Sequence, residues 1–360
     1  MSTSNNFRTE IFPPEAKRKV LISDELMLLG SCFSENIGER LLEQKFRVDT
    51  NPFGILFNPK CLQHSLDRML DGKLYKDGDL FYNDVLESYC SWDHHSSFSK
   101  NNQDKDESLS GINSRLLAGH QNLKRTKWLF LTFGTAWVYE LKSEKSMSGK
   151  AQVVANCHKM PQQWFDKRLL GIQEITNGMS QAFERLFTMN PDIQVVLTVS
   201  PVRHWRDGPV ANGRSKSHLA RKAAAAAWPP GGQGRGSGAG RGGRGRLAFF
   251  HHVESRNAKM KDYRFYAEDM FHPSDQAIEY IWGKFQQTYF SEDTLRLIEK
   301  IDKVQQAMKH RPFRPETEAH QIFLRKQLDT ISILEKEHPS LNFTIERRHF
   351  DSFLTEKGSA

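Results

Sequence analysis

Two continuous hydrophobic stretches predict buried strands. Residues 127–134 read KWLFLTFG and residues 193–200 read IQVVLTVS. A shorter apolar run, residues 26–29, ends on Gly30 and leads into a stretch whose apolar residues recur at helical spacing. Strands that are apolar at nearly every position and alternate with helices are typical of a parallel sheet covered on both faces.

The pattern becomes helical towards the C-terminus. Residues 274–290 place their apolar side chains on one face of a helix, and residues 292–337 predict two further helices. We therefore expect one α/β domain over residues 1–290 and a C-terminal helical extension over residues 291–360.

Residues 221–258 do not share the periodicity of their surroundings. A run of five alanines leads into Trp-Pro-Pro and then GGQGRGSGAGRGGRGR. One interpretation is an out-of-frame reading of a GC-rich gene, which yields Ala, Gly, Arg and Pro codons. The other is a genuine Gly/Arg-rich disordered insert able to contact RNA. An open parallel sheet also needs a crossover helix and another strand in this part of the chain.

Net charge, hydropathy and cysteine spacing each bear on which class of protein this is. The chain has a net charge of +8, but six of the positive charges and no acid lie within residues 221–246, which leaves about +2 elsewhere. Charge therefore gives no argument for a nucleic-acid-binding domain, and only residues 231–246 could contact RNA. No apolar run is long enough to span a membrane, and the N-terminus lacks the apolar core of a signal peptide. We predict a cytoplasmic protein whose four scattered cysteines are free thiols and which binds no metal or cofactor.

The turn after the first strand is the first candidate for chemistry. Ser31 and Cys32 follow Gly30 and precede a predicted helix. A nucleophile here would be exposed at the carboxyl edge of the sheet, and the free N–H groups of the helix start could stabilise an oxyanion or a thiolate. The alternative is that Ser31 caps the helix beside a small buried cysteine.

The second candidate is Asp269-x-x-His272-Pro273, directly before an amphipathic helix. This spacing lets a carboxylate orient an imidazole, which can then act as a general base towards a nucleophile. A capping Asp beside a surface His is the alternative.

These two motifs carry a family resemblance. Gly30-Ser31-Cys32-Phe33 resembles the signature of the GSCFA family, with Ser34 in place of the terminal alanine. The same stretch is similar to the Gly-Asp-Ser-Leu start of many SGNH/GDSL esterases, and Asp269-x-x-His272-Pro273 resembles their last block. A gapless comparison puts Cys32 at the nucleophilic serine, and a shift of one residue puts Ser31 there, so both stay candidates.

The resemblance implies a flavodoxin-like three-layer α/β/α sandwich, SGNH hydrolase-like, with a parallel sheet of about five strands. It also implies the roles of the site residues: Ser31 or Cys32 attacks a carbonyl, His272 accepts the proton, and Asp269 orients His272.

The oxyanion donors match the esterase pattern less well. Gly54 falls where the family's glycine block lies, the alternative being a turn glycine, and Gly134 ends a strand where the third block begins. That third block is Gly-x-Asn-Asp, but its asparagine position holds Ala136, and one lost donor costs roughly 10²–10³ in rate. Asn156 could supply an amide from a neighbouring loop, or it could belong to a loop turn beside a surface histidine. Arg203, after a predicted strand, could bind a carboxylate, sulfate or phosphate, or it could form an ordinary salt bridge in a loop.

The resulting expectation is an ester hydrolase or acyltransferase acting on a small acyl ester or modified saccharide, with no membrane partner. Trp92 could stack against a sugar. The alternative is a catalytically weak or inactive binding module on the same fold.

Overall fold

The computed structural model describes residues 15–95, 102–200, 208–226, 247–250, 266–269, 272–310, 314 and 316–354. These residues form two compact units. The larger unit contains Glu25–Gly38 and Val48–Trp282, and the smaller contains Pro14–Asp24, Glu39–Arg47 and Gly283–Ala360.

In chain order the elements are β1 (Glu25–Gly30), α1 (Cys32–Glu43), β2 (Arg47–Thr50), α2 (Pro59–Asp71), β3 (Phe81–Asn83), β4 (Ser88–Cys90), α3 (Lys105–Arg125), β5 (Trp128–Phe133), β6 (Trp137–Leu141), β7 (Gln152–Val154), β8 (Phe165–Leu169), α4 (Ile172–Met189), β9 (Gln194–Val199), α5 (Gly208–Ala226), β10 (Leu247–Phe250), α6 (Asp275–Tyr289), α7 (Glu292–Lys309), α8 (Glu318–Glu337) and α9 (Thr344–Asp351).

The main sheet has the strand order β2-β1-β5-β9-β10, and the pairs β1–β5, β5–β9 and β9–β10 are parallel. Counted along the chain, this is the 2-1-3-4-5 order of flavodoxin-like folds. The predicted three-layer α/β/α fold is confirmed. In such sheets the strand order reverses between the first and third strands, here β1 and β5, and ligands bind at the carboxyl ends of those strands.

The sheet is buried on both faces because its strands are apolar at successive positions. One face packs into a core with α2, α3 and α4. Its members include Met27, Leu29, Leu129, Leu131, Val195, Leu197, Leu62, Leu66, Ile112, Met179 and Phe183. The alternate strand residues Leu28, Phe130 and Val196 are buried as well. Burying each such side chain contributes about 1.5–3 kcal/mol relative to leaving it exposed, so both faces of the sheet stabilise the fold.

Part of the irregular segment 221–258 is regular in the structure. Its first six residues complete α5, and residues 247–250 form β10, paired in parallel with β9. The crossover helix and additional strand that the sheet needs are therefore present. The lack of a hydrophobic period was a poor guide here, because alanine is the strongest helix former even where it builds no apolar stripe. The rest of the segment, including the Gly/Arg run of 231–246, lies outside the described residues, and both interpretations of it stay hypotheses.

The two smaller sheets lie in the larger unit. Strands β3 and β4 form an antiparallel pair, and β7, β6 and β8 form an antiparallel three-stranded sheet. Helices α7, α8 and α9 pack together in the smaller unit around residues such as Ile301, Ile331 and Phe343.

A buried ion pair also belongs to the smaller unit. Lys45 Nζ lies 2.5 Å from Glu346 Oε1, which also accepts a hydrogen bond from Gln305 Nε2 at 2.7 Å. The side chains of Lys45 and Glu346 are 14% and 3% exposed. Removing either partner would leave the other charge buried without compensation.

Among the helices that the structure describes, none has the combination of length and apolarity needed to cross a bilayer. The cytoplasmic location stays a prediction.

Candidate functional site

The turn between β1 and α1 requires glycine at its first position. Gly30 has a φ of +147°, and a Cβ built there would lie 2.4 Å from the carbonyl oxygen of Thr132. Its N–H donates to Asn51 Oδ1 at 2.9 Å, and its carbonyl accepts from the N–H of Leu56 at 2.8 Å. The chain therefore passes close to β5 as it leaves β1, at the point where the strand order reverses.

Ser31 lies in this turn, and its side chain is buried. The residue is 2% exposed, and its Oγ has no hydrogen-bond partner among the described residues. The capping hydrogen bond that would make Ser31 an ordinary N-cap is therefore not formed within the part of the chain that the structure describes.

Cys32 begins α1 and is partly exposed. Burial raises the pKa of its thiol, and the negative charge of Glu35 raises it further. The N–H groups of Phe33 and Cys32 and the charge of Lys216 act in the opposite direction, but the pKa remains above its ordinary value. The stabilisation of a thiolate that the helix start could provide is therefore outweighed at this site by desolvation.

Lys216 on α5 is a site residue that the sequence analysis missed. It is 7% exposed, and its Nζ donates to the carbonyls of Gly134 and Ser200, both at 2.6 Å. These carbonyls lie just beyond the ends of β5 and β9, so the ammonium group bridges two strand ends at the carboxyl edge of the sheet. The surrounding sequence RSKSHLARK has no apolar period that would have marked this lysine as buried.

Asp269 and His272 form a hydrogen-bonded pair just before α6. Asp269 Oδ2 lies 2.5 Å from His272 Nδ1, and Asp269 Oδ1 accepts from the backbone N–H of His272 at 3.0 Å. The two side chains are 44% and 64% exposed. With Nδ1 held by the carboxylate, Nε2 is the nitrogen left to exchange a proton with another group.

The turn and the pair are not joined directly. Neither Ser31 nor Cys32 forms a hydrogen bond with His272, so the triad expected from the motifs stays a prediction. Strands β1 and β10 belong to one parallel set, so their carboxyl ends lie at the same edge of the sheet, but residues 251–265, between β10 and the pair, lie outside the described residues.

The two glycines expected to donate to an oxyanion have their N–H groups engaged. Gly54, at a φ of +72°, donates to the carbonyl of Asn51 at 2.8 Å. Gly134 donates to the carbonyl of Phe57 at 2.7 Å. Both bonds hold the loop between β2 and α2 in place, so these N–H groups have a structural role.

Asn156 and the residue at the expected asparagine position are likewise committed. The N–H of Ala136 donates to Ser215 Oγ at 2.7 Å. Asn156 Nδ2 donates to the carbonyl of His95 at 2.7 Å, and its Oδ1 accepts from the N–H of His158 at 3.0 Å. These contacts organise the loops around the smaller sheets.

The ring of Trp92 does not present an open face on which a sugar could stack. The ring of Trp92 stacks on Phe81 with centroids 4.0 Å apart, and the residue is 9% exposed, so its face is covered. Sugar stacking on Trp92 was a wrong expectation, because the indole completes a local core with Leu141 and Phe165. Arg203 lies outside the described residues. Within those residues, no three His, Cys, Asp or Glu side chains gather as metal ligands would.

Comparison with known proteins gives a family. The model described as the GSCFA family matches residues 25–285, and the model described as GSCFA domain protein, C-terminal domain, matches residues 301–356. No curated protein and no solved structure matches the chain.

Proposed function

Since the chain belongs to the GSCFA family, we propose that it is an ester hydrolase or acyltransferase acting on a small acyl ester or a modified saccharide. The observation that supports this is the Asp269–His272 pair, whose Nδ1 hydrogen bond leaves Nε2 available as a base. A nucleophile-bearing turn at the reversal of strand order adds to it.

The proposed chemistry is acyl transfer through a covalent intermediate. His272 Nε2 accepts the proton of the attacking group as the new bond to the carbonyl carbon forms, and the N–H groups at the start of α1 stabilise the oxyanion. His272 then returns the proton to the leaving alcohol. Water or an acceptor hydroxyl attacks the acyl-enzyme, and the same proton transfers run again to release the product.

Access favours Cys32 as the nucleophile. Cys32 is partly exposed, whereas Ser31 is 2% exposed. The raised pKa of the thiol means that Cys32 keeps its proton at neutral pH. It would therefore react by handing that proton to His272 during attack, and would not rest as a thiolate–imidazolium pair. Ser31 is the second candidate.

The test is acyl-enzyme formation with p-nitrophenyl acetate, followed by intact mass and fragmentation. We expect an acetyl adduct on Cys32 that is lost in Cys32→Ala and His272→Gln and is kept in Ser31→Ala. His310→Gln is the matched control, since His310 is an exposed histidine of the smaller unit. An adduct on Ser31 that survives Cys32→Ala would make Ser31 the nucleophile and exclude Cys32 from that role. A folded protein without any adduct would rule out the enzymatic proposal.

A second candidate is a binding module on the same fold. It is favoured by the engagement of the N–H groups of Gly134 and Ala136 and by the missing asparagine side chain. Such a protein would bind an ester or saccharide without turning it over, and the absence of an adduct together with retained binding would identify it.

A further inference from the structure

A cavity of about 280 Å³ opens in the larger unit, lined by residues of α2, of the three-stranded sheet and its loops, and of the loop after β4. That loop contributes Asp93 and Trp92, whose ring stacks on Phe81. Its polar and charged lining side chains are those of Lys60, His64, Asp93, Glu140, Gln152 and Arg168. None of the residues assigned to the proposed reaction lines it.

Asp93 supplies a fixed negative charge to this cavity. Its Oδ2 accepts from His64 Nε2 at 2.9 Å and from Tyr75 Oη at 3.0 Å, and Arg68 Nε lies 3.7 Å away. Burial alone would raise the pKa of Asp93, but the hydrogen bond and charge of His64, with the charges of His94 and Arg68, lower it to about 2. The carboxylate therefore stays ionised and holds the His64 ring in one orientation.

His64 offers the cavity a free ring nitrogen. Its Nε2 is bound to Asp93, and its Nδ1 has no hydrogen-bond partner among the described residues. The side chain is 51% exposed, so a ligand can reach it. Burial lowers the pKa of His64, but the hydrogen bond and charge of Asp93 outweigh burial and raise it. Nδ1 can thus accept a hydrogen bond when the ring is neutral and donate one when it is protonated.

The charged side chains that the three-stranded sheet contributes to the lining are paired. Arg168 donates to both carboxylate oxygens of Glu174 at 2.9 and 3.0 Å, and its Nε donates to Glu140 at 3.0 Å. The hydrogen bonds from Arg168 are the main cause of the lowered pKa of Glu174, and the positive charge of Lys60 lowers that pKa further. A wall in which cations and carboxylates balance attracts neither anions nor cations strongly.

What this wall offers is a mixture of donors and acceptors. Gln152 adds an amide with both a donor and an acceptor end. Hydroxyl groups both donate and accept, so they match such a lining better than a charged ligand does. The volume lies just below the range of about 300–1,000 Å³ typical of drug-sized ligands, which points to a small molecule.

We propose that this cavity binds a small uncharged molecule with several hydroxyl groups, of the size of one sugar ring. His64 and Gln152 contact its hydroxyls directly, and the Arg168–Glu140 pair forms the polar wall behind it. The proposal does not rest on the reaction proposed for Cys32 and His272.

The test is ligand-observed NMR on the full chain with glucose, galactose, N-acetylglucosamine and myo-inositol as probes, and inorganic phosphate as a charged comparison. We expect at least one uncharged probe to bind, and its affinity to fall by about tenfold in Gln152→Ala and in His64→Phe, since each removes a direct hydrogen bond. Gln173→Ala is the matched control, because this exposed glutamine on α4 lies outside the cavity.

Two further variants separate this inference from the proposed reaction. Cys32→Ala and His272→Gln are expected to bind the sugar probes as the unaltered chain does, whatever happens to acyl transfer. The inference is overturned if no uncharged probe binds, if binding is unchanged in Gln152→Ala, or if phosphate alone binds. Should His64→Phe fail to fold, Gln152→Ala decides the question by itself.

Discussion

Gly30 and Thr132 are register partners on the neighbouring parallel strands β1 and β5, and no side chain fits between them. A Cβ on Gly30 would lie 2.4 Å from the Thr132 carbonyl oxygen and 2.8 Å from the Thr132 Cβ. This close approach fixes where α1 starts, and therefore where Ser31 and Cys32 stand relative to the end of β5.

Replacing Gly30 by alanine should destabilise the larger unit by about 2–5 kcal/mol, since it adds both a forbidden backbone angle and a steric overlap. The free energy of unfolding in urea measures this. Gly78→Ala is the control, because nothing lies within 4 Å of a Cβ at Gly78. Equal stability of the two variants would contradict the close approach.

Glu35→Gln should lower the pKa of Cys32, because it removes a negative charge that raises it. The rate of alkylation by iodoacetamide would then reach its half-maximum at a lower pH. Lys216→Met should shift the profile the other way, since the ammonium group stabilises the thiolate. Glu43→Gln, at the far end of α1, should leave it in place; identical profiles for all variants would mean that burial alone sets the pKa.

The burial of His94 should lower the free energy of unfolding of the protein in mild acid. The ring is buried and stacks on Phe53 with centroids 4.8 Å apart. Burial lowers its pKa to about 3, although the charge of Asp93 opposes this. A histidine whose folded pKa is depressed contributes stability above its ordinary pKa of 6.5, and this stability is lost as the pH falls from 6.5 towards 3.

Between pH 7.5 and pH 5 the loss attributable to His94 should be about 2 kcal/mol. His94→Phe keeps an aromatic ring without a titrating nitrogen, so its free energy of unfolding should depend less on pH over this interval. His310→Phe, at an exposed position, is the control. A slope in His94→Phe as steep as that of the unaltered chain would refute the assignment.

Lys45→Met should destabilise the smaller unit by about 3 kcal/mol, because it leaves the buried carboxylate of Glu346 without its cation. The double variant Lys45→Met with Glu346→Gln should recover part of this loss in a urea titration. Lys300→Met breaks an exposed pair with Glu337, so it should cost less than about 1 kcal/mol. Comparable costs for the two lysines would show that burial of the Lys45 pair does not matter.

The main sheet was predictable because the apolar residues of each strand by themselves indicate a buried strand. The runs at 127–134 and 193–200 are apolar at nearly every position, and both became central parallel strands, β5 and β9. The motif around Ser31 was placed correctly between a strand and a helix for the same reason. Asp269 and His272 lie three residues apart, so their hydrogen bond needed only local geometry.

What could not be predicted depends on partners distant in the chain. Lys216 is buried because it meets the carbonyls of two strand ends, one of them 82 residues away. The pKa of Cys32 reflects how much of the protein surrounds it, which no motif encodes. Gly54 and Gly134 matched a pattern by position, but whether an N–H is free depends on which carbonyl folds against it.

The smaller unit is assembled from three stretches of chain, Pro14–Asp24, Glu39–Arg47 and Gly283–Ala360. Contacts such as the N–H of Val20 with the carbonyl of Tyr289, at 2.8 Å, tie the early stretches to the late one. The region matched by the C-terminal family model, residues 301–356, therefore does not contain the whole of its compact unit. A stop codon near residue 290 would remove the final helices and would leave the two early segments without the residues they pack against. A fragment starting at residue 301 would lack parts of its own fold.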